Sequence, residues 1–341
     1  MIQFEIDDNF KKRYENFLSC DLFKNQNKIS KTEYWKYHSK NIEINLKDNI
    51  LKLKGESGFY YSERNLVREL KKFIKKILNF FYRNEVKYLE YKKAFNKQLK
   101  QSSYLKNKIS LNHDSILVKN FNDIKKKYPF KKFEINDHVI RSYYNMNLMN
   151  SYFDISNVNV ILEIGPGSCN LISLIKYHFN IKNFIIVDLP ETLSISIPII
   201  NNLFPESKII LPNENIKKID NSVIKNFDFI FLTPNQINLI NDQIVDLSIN
   251  TNSFGEMNIE QVNLYIDLIQ RASKNDSYFF NTNRVEKHPT GIEKNKNLNI
   301  QPTRFFDYKF YNNEIKFFEL CDLTLEVQKH PVFNRLEKII K

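Results

Sequence analysis

From about residue 157 onward, short apolar runs alternate with stretches of helical period. The run 158–164 is continuous enough for a strand buried on both faces, and Leu171, Ile172, Leu174 and Ile175 after it predict a helix over 168–179. A strand over 184–188 and a helix over 191–203 follow, the helix absorbing Pro198 at some cost. Three further apolar runs, 208–211, 227–232 and 245–250, read as strands. Asn258, with Gln261 three residues later, has the form of a capping box and opens a helix whose buried stripe is Val262, Tyr265, Ile266 and Ile269. A strand over 277–281 comes next. The runs 305–311 and 315–320, split by Asn312, Asn313 and Glu314, predict a closing antiparallel hairpin. Strands that alternate with helices require a mostly parallel sheet with helices on both faces, an α/β fold of Rossmann-like kind.

The preceding sequence lacks this alternation and reads as mainly helical and irregular. Its clearest element spans 62–99, where Leu66, Leu70, Phe73, Ile74, Ile77 and Phe81 recur at helical spacing. Lys71, Lys72, Lys75 and Lys76 fall largely opposite that stripe, as a solvated basic face or a surface for an acidic membrane. A second helix over 137–153 leads into the first strand. Two regions are therefore expected: a mainly helical lid or acceptor region over 1–156 and a ligand-binding α/β domain over 157–341.

Composition changes this picture little. The 341 residues carry a formal net charge of +12, which draws anionic partners, but the lysines are scattered through Asn- and Ile-rich sequence. A biased composition explains them, and no nucleic-acid partner is expected. Cys20, Cys169 and Cys321 are odd in number and far apart, which fits neither a disulfide framework nor a metal knuckle, so a reducing cytoplasm is expected. The first residues lack the pattern of a signal peptide, and no stretch has the length of a membrane span. A homo-oligomer stays open.

The chemistry concentrates at the strand ends, where open parallel sheets bind their ligands. Two of the chain's six glycines, Gly165 and Gly167, fall in the turn between the first strand and its helix. There they let the backbone turn tightly and approach a ligand beside helix N–H groups. Asp188 ends the second strand, one βα unit on, where a carboxylate accepts from both hydroxyls of a ribose; it also suits a helix N-cap. A dinucleotide fingerprint wants a third glycine where this chain has Asn170. Glu163, two residues before Gly165, would repel a pyrophosphate but serves a ligand bearing an ammonium and a sulfonium. That combination points to S-adenosylmethionine.

On these residues the chain resembles the class I S-adenosylmethionine-dependent methyltransferases. Within them it is similar to the sugar O-methyltransferases related to the one from nanchangmycin biosynthesis. The matching segments are Ile161-Leu162-Glu163-Ile164-Gly165-Pro166-Gly167, Val187-Asp188-Leu189-Pro190-Glu191-Thr192-Leu193 and Asn250-Thr251-Asn252-Ser253-Phe254-Gly255-Glu256-Met257. Phe231-Leu232-Thr233-Pro234-Asn235-Gln236 also matches, and Glu33-Tyr34-Trp35 is a looser echo. The likeness spans about 140–284; many members have glycine where this chain has Cys169. A reactive thiol at Cys169 is the sharper alternative, without a histidine nearby in sequence.

The resemblance implies cofactor contacts at Glu163, Gly165, Gly167, Asp188, Leu189, Pro234, Asn235, Asn252 and Ser253. It also implies methyl transfer to a hydroxyl of a sugar, nucleotide-linked or part of a surface glycan, in glycan biosynthesis. Such a reaction needs close placement of the acceptor oxygen and a base for its proton. His288, followed by Pro289, and Glu256 are the candidate bases; His330 lies farther along the C-terminal segment. Trp35, Tyr60, Tyr61, Tyr143 and Tyr144 suit stacking on a sugar face as well as core packing, and Arg141 suits a cofactor carboxylate or an acceptor phosphate. No metal is expected, since Asp137-His138 and His113-Asp114 are isolated pairs. Two rivals remain: an O- or N-methyltransferase of a nonsugar metabolite, and a noncatalytic binding protein that keeps the fold.

Overall fold

The computed structural model describes residues 2–23, 32–54, 127–130, 133, 135, 137–287, 303–321 and 331–341. The expected 62–99 helix, Tyr60, Tyr61, His113, His288 and His330 lie outside the described residues. Strand β1 (Ile2–Glu5) leads into helix α1 (Asp8–Ser19), whose N-cap Asp7 accepts from the Phe10 N–H. The short helix α2 (Glu33–His38) starts on Thr32 in the same way. Strands β2 (Glu43–Lys47) and β3 (Ile50–Lys54) form a hairpin, and β1 adds to it in antiparallel order β1-β3-β2. The hairpin loop is Asp48-Asn49, both with positive φ (47° and 62°), the primed geometry that matches strand twist. This small sheet is an addition to the helices expected in the N-terminal region.

Helix α3 (Asp137–Asn150) precedes the main sheet. The rest follows in chain order: β4 (Val160–Ile164), α4 (Asn170–Phe179), β5 (Asn183–Val187), α5 (Pro190–Leu203), β6 (Ile209–Ile210), α6 (Asn221–Asn226) and β7 (Phe229–Leu232). Then come β8 (Val245–Thr251), α7 (Ile259–Ala272), β9 (Ser273–Arg284), the short pair β10 (Glu286–Lys287) and β11 (Thr303–Arg304), β12 (Glu314–Leu320) and β13 (Val332–Lys338). The eight-stranded sheet runs β12-β13-β9-β8-β4-β5-β7-β6. From β9 to β6 in that order the strands are parallel, and β13 and β12 close the sheet antiparallel. After β7 the chain crosses back to place β8 on the other side of β4. That reversal opens a crevice between the carboxyl ends of β4 and β8.

Side-chain alternation along β4 explains the layers. Ile161 joins one core with α1, α3, α4 and α5, whereas Val160, Leu162 and Ile164 join a second with α6 and α7. Ile2, Phe4, Leu51 and Leu53 of the N-terminal sheet belong to the first core, so that sheet extends the main packing. The capping box at Asn258 and Gln261 is present on both sides. Pro198 sits inside α5 and brings no N–H to the carbonyl of Ser194. The buried Tyr14 hydroxyl donates to that carbonyl instead, at 2.5 Å.

One expected element differs. The run 305–311 is a 3-10 turn (Phe305–Asp307) followed by irregular chain, and the partner of β12 is β13. The aromatic residues there do not alternate between two faces: the rings of Tyr308 and Phe310 both pack on Phe305, which also meets Phe318 and Phe333. A shared cluster of that kind favours a compact turn over an extended strand.

Candidate functional site

A cavity of about 400 Å³ opens at the carboxyl ends of β4, β5, β8 and β9. Its floor is the turn from β4 into α4. The Gly165 N–H continues the β4–β5 ladder by donating to the Val187 carbonyl at 2.8 Å, and the chain then turns through Gly165 (φ +66°) and Gly167 (φ +59°). Both values lie in the left-handed region that glycine enters without strain. A Cβ on Gly165 would meet Ser253 Oγ at 2.2 Å, whereas a Cβ on Gly167 would meet no described atom within 4 Å, so open space lies beside that residue. The turn is held from two sides. The Gly167 N–H donates to Asp188 Oδ2 at 3.1 Å, and the Ser196 hydroxyl of α5 donates to the Gly167 carbonyl at 2.5 Å. Cys169, also left-handed, caps α4 without a side-chain bond to its first-turn N–H groups, and Asn170 and Leu171 of that turn line the cavity.

Carboxylates crowd this floor. Asp188 Oδ1 accepts from the Leu189 N–H at 2.7 Å while Oδ2 accepts from Gly167, the Thr192 side chain also favours its anion, and a carboxylate with four acceptor directions keeps capacity for a ligand. Burial pushes the Asp188 carboxyl up to about 7, against the two backbone N–H groups that favour its anion. Glu163 is 1% exposed, and its Oε2 has no hydrogen-bond partner among the described residues. Burial, then the nearby Asp188, push it up to about 8. Asn170 Oδ1, also on the cavity wall, is buried without a partner among the described residues. Buried acceptors in this condition are unfavourable until a donor reaches them. The Cys169 thiol is raised well above its ordinary range by burial and by Glu163 and Asp188, which keeps it protonated and argues against a nucleophilic role.

The opposite wall is the loop after β8. Asn250 Nδ2 donates to the Ile164 carbonyl at 2.9 Å and to Ser253 Oγ at 2.6 Å, tying the two sides of the crevice together. Asn283 of β9 donates to Asn250 Oδ1 at 2.7 Å and accepts from the Gly255 N–H at 3.1 Å. Asn252 takes a left-handed conformation (φ +64°) that presents this loop to the cavity. The network ends at Glu256, whose carbonyl accepts from the Thr32 hydroxyl at 2.9 Å, bringing α2 over the site. Burial raises the Glu256 carboxyl; Lys287, a hydrogen bond from Tyr34, Arg284 and His38 oppose the rise.

The cavity brings together most of the residues singled out in the sequence. Glu163, Gly165, Gly167, Asp188, Leu189, Pro234, Asn252, Ser253, Glu256, Arg141 and Trp35 all line it. Asn235 follows Pro234 in a 3-10 turn, is exposed and does not line the cavity. Tyr143 is buried, and its hydroxyl pairs with His178 Nε2 at 3.1 Å, away from the cavity wall. Arg141 Nη2 lies 2.9 Å from His138 Nδ1, and burial and then the Arg141 charge push that imidazole down to about 3, so it stays neutral and accepts. Tyr34, His138, Arg284 and Lys287 were not singled out as site residues. Tyr34 had a signal beside Trp35; Arg284 and Lys287 had one only in lying just beyond the apolar run 277–281. Among the described residues no group of three or more His, Cys, Asp and Glu side chains gathers as a metal site, and no helix is long and apolar enough to cross a membrane.

The strand order, the glycine turn and the acidic residue following β5 define a Rossmann-like, mostly parallel sheet with a ligand crevice at its carboxyl ends. No protein-family model matches the chain, and no curated protein matches it. Among solved structures it is similar to geranyl diphosphate C-methyltransferase from Streptomyces coelicolor, at 9% identity and a TM-score of 0.41 over 60% of this chain and 80% of that one. It is also similar to a SAM-dependent methyltransferase from Aquifex aeolicus, at 12% identity and a TM-score of 0.36 over 57% of this chain and 89% of that one.

Proposed function

We propose that this chain is an S-adenosylmethionine-dependent O-methyltransferase whose acceptor is a hydroxyl of a sugar. The observation that carries the reading is the pair Asp188 and Glu163. One keeps acceptor capacity beyond its backbone partners and the other has a buried oxygen with no partner among the described residues, both on the wall of an open cavity. A ligand that brings a diol and an ammonium supplies the donors they lack. The residues fit the cofactor: Asp188 would hold the ribose hydroxyls, Glu163 and Asn170 would meet the ammonium, and the space beside Gly167 would admit the ligand close to the backbone. When bound, S-adenosylmethionine supplies an electrophilic methyl group.

The chain's own residues supply placement and a proton acceptor. Glu256 is the proposed base, because it lines the cavity and burial raises its carboxyl, which makes it a stronger proton acceptor. His288, the residue after Lys287, lies outside the described residues and is the second candidate. Trp35, which lines the cavity and is held edge-to-face by Tyr34 at 5.5 Å, gives the acceptor side an aromatic surface suited to a sugar face. The sugar acceptor rests on this wall and on the motif resemblance. Incubation with S-adenosylmethionine and candidate sugars, read by mass spectrometry for one added methyl group, tests the proposal. Product from the wild type and a loss of about a hundredfold or more in Glu256→Gln support it; an unchanged rate in that variant refutes the base assignment.

A further inference from the structure

Two buried asparagines join the rims of the crevice. Strand β8 ends at Thr251, whose partner on β9 is Thr282, while β9 continues to Arg284. Asn283 therefore lies under the loop that leaves β8, with no β8 residue opposite it. Its Nδ2 donates to Asn250 Oδ1 and to Asn281 Oδ1, and its Oδ1 accepts from the Gly255 N–H. Asn250 is used as fully. Its Nδ2 donates to the Ile164 carbonyl and to Ser253 Oγ, and its Oδ1 also accepts from the Phe254 N–H at 3.4 Å. Both side chains are wholly buried, and neither amide can turn over without losing bonds. A buried network satisfied at every atom holds one arrangement.

Its two ends reach different parts of the cavity. Ile164 precedes the turn at Gly165, on the cofactor side. Gly255 precedes Glu256, whose carbonyl accepts from the Thr32 hydroxyl, and that hydroxyl in turn accepts from the Trp35 N–H. A continuous line of bonds thus runs from the β4 end through Asn250, Asn283 and the Gly255–Glu256 backbone to the first turn of α2. Thr282, on the other face of β9, donates instead to Asn334, and neither of these lines the cavity.

We infer that Asn283 is a positioning residue, which ties Gly255 to Asn250 and so holds Glu256 and α2 at a fixed distance from the cofactor turn. It does not line the cavity itself and acts through the backbone of the loop. This rests on the methyl-transfer reading above and adds how its acceptor side is held. Placement of that kind matters to rate, since a shift of about 1 Å can cost about a hundredfold.

Trp35 is the one tryptophan of the chain, so its fluorescence reads α2 directly. Acrylamide quenching of Trp35 and calorimetry with S-adenosylhomocysteine, both on the full chain, follow the two rims separately. Asn283→Ala should raise the quenching constant about twofold or more as α2 loosens, with S-adenosylhomocysteine affinity kept within about threefold. Asn250→Ala breaks the bonds to both rims, so it should raise quenching and also weaken S-adenosylhomocysteine about tenfold. Thr282→Val loses a buried hydrogen bond on the opposite face and should change neither readout. Urea unfolding checks that each variant folds. Should Asn283→Ala fail to fold, Asn283→Ser, whose hydroxyl is too short to reach both Gly255 and Asn250, takes its place with the same expected pattern. With the sugar that the wild type methylates, the variant should lower kcat about tenfold or more at an unchanged KM for S-adenosylmethionine. Unchanged quenching in the Asn283 variant, an equal rise in Thr282→Val, or an unchanged kcat would overturn the inference. A wild type that ignores S-adenosylhomocysteine, while its quenching still depends on Asn283, would overturn the methyl-transfer reading and leave the positioning role standing, so the two failures are distinct.

Discussion

A Cβ on Gly165 would lie 2.2 Å from the Ser253 Oγ and 2.4 Å from its Cβ. Ser253 has no easy retreat, because its hydroxyl is tied to Asn250 and to the Ile164 carbonyl. Gly165→Ala should lose on the order of 2–5 kcal/mol, from left-handed strain plus overpacking. Gly167→Ala meets strain without collision and should lose only about 1–2 kcal/mol. Urea unfolding of the two variants measures the difference; equal losses would mean that the crevice is looser than described.

Tyr14 and Pro198 form a second testable pair. The Tyr14 hydroxyl serves the Ser194 carbonyl that Pro198 cannot serve, in a fully buried setting. Tyr14→Phe leaves that carbonyl unsatisfied and should destabilise by about 1–3 kcal/mol. In a Pro198→Ala background, position 198 regains an N–H for the carbonyl, so the effect of Tyr14→Phe should shrink. A double-mutant cycle in urea reads this coupling, and additive losses would refute it.

The crevice geometry was legible where one local pattern sufficed. Two glycines after an apolar run mark the β4–α4 turn, the acid after the next run marks Asp188, and Asn258 with Gln261 marks the start of α7. The β2–β3 hairpin was legible in principle: Ile44 and Leu46 alternate before Asp48-Asn49, and Leu51 and Leu53 after it, but charged neighbours obscured the pattern. The wall around Glu256 was not legible. Tyr34 and Lys287 are far apart in the chain, and only the fold brings the ammonium over the ring. Phe305, Tyr308 and Phe310 misled for a related reason, since aromatic content alone does not say whether rings alternate or cluster.

Burial raises the carboxyls of both Glu163 and Asp188, from ordinary values of 4.5 and 3.8 to about 8 and about 7. A carboxyl raised by folding favours the protonated state, so its contribution to stability is complete below the unfolded value and is lost as pH rises through the folded one. The ligand-free protein should therefore lose stability between about pH 4 and pH 8. Glu163→Gln removes one titrating group and should flatten that decline. Urea unfolding across the range measures it; a wild-type profile that rises toward pH 8 would contradict the buried state of these groups. A ligand ammonium favours the Glu163 anion, so binding of S-adenosylhomocysteine near pH 7 should release protons, seen as a dependence of calorimetric heat on buffer ionisation enthalpy.

Calorimetric titration with S-adenosylhomocysteine, on the wild type and on Asp188→Asn, tests the central claim most directly. The wild type should bind in the micromolar range. Asp188→Asn, with a stability check in urea, should bind about tenfold to a hundredfold more weakly, as expected when hydroxyls lose a charged acceptor. No binding by the folded wild type, or equal affinity in the variant, would contradict a ribose held at the end of β5.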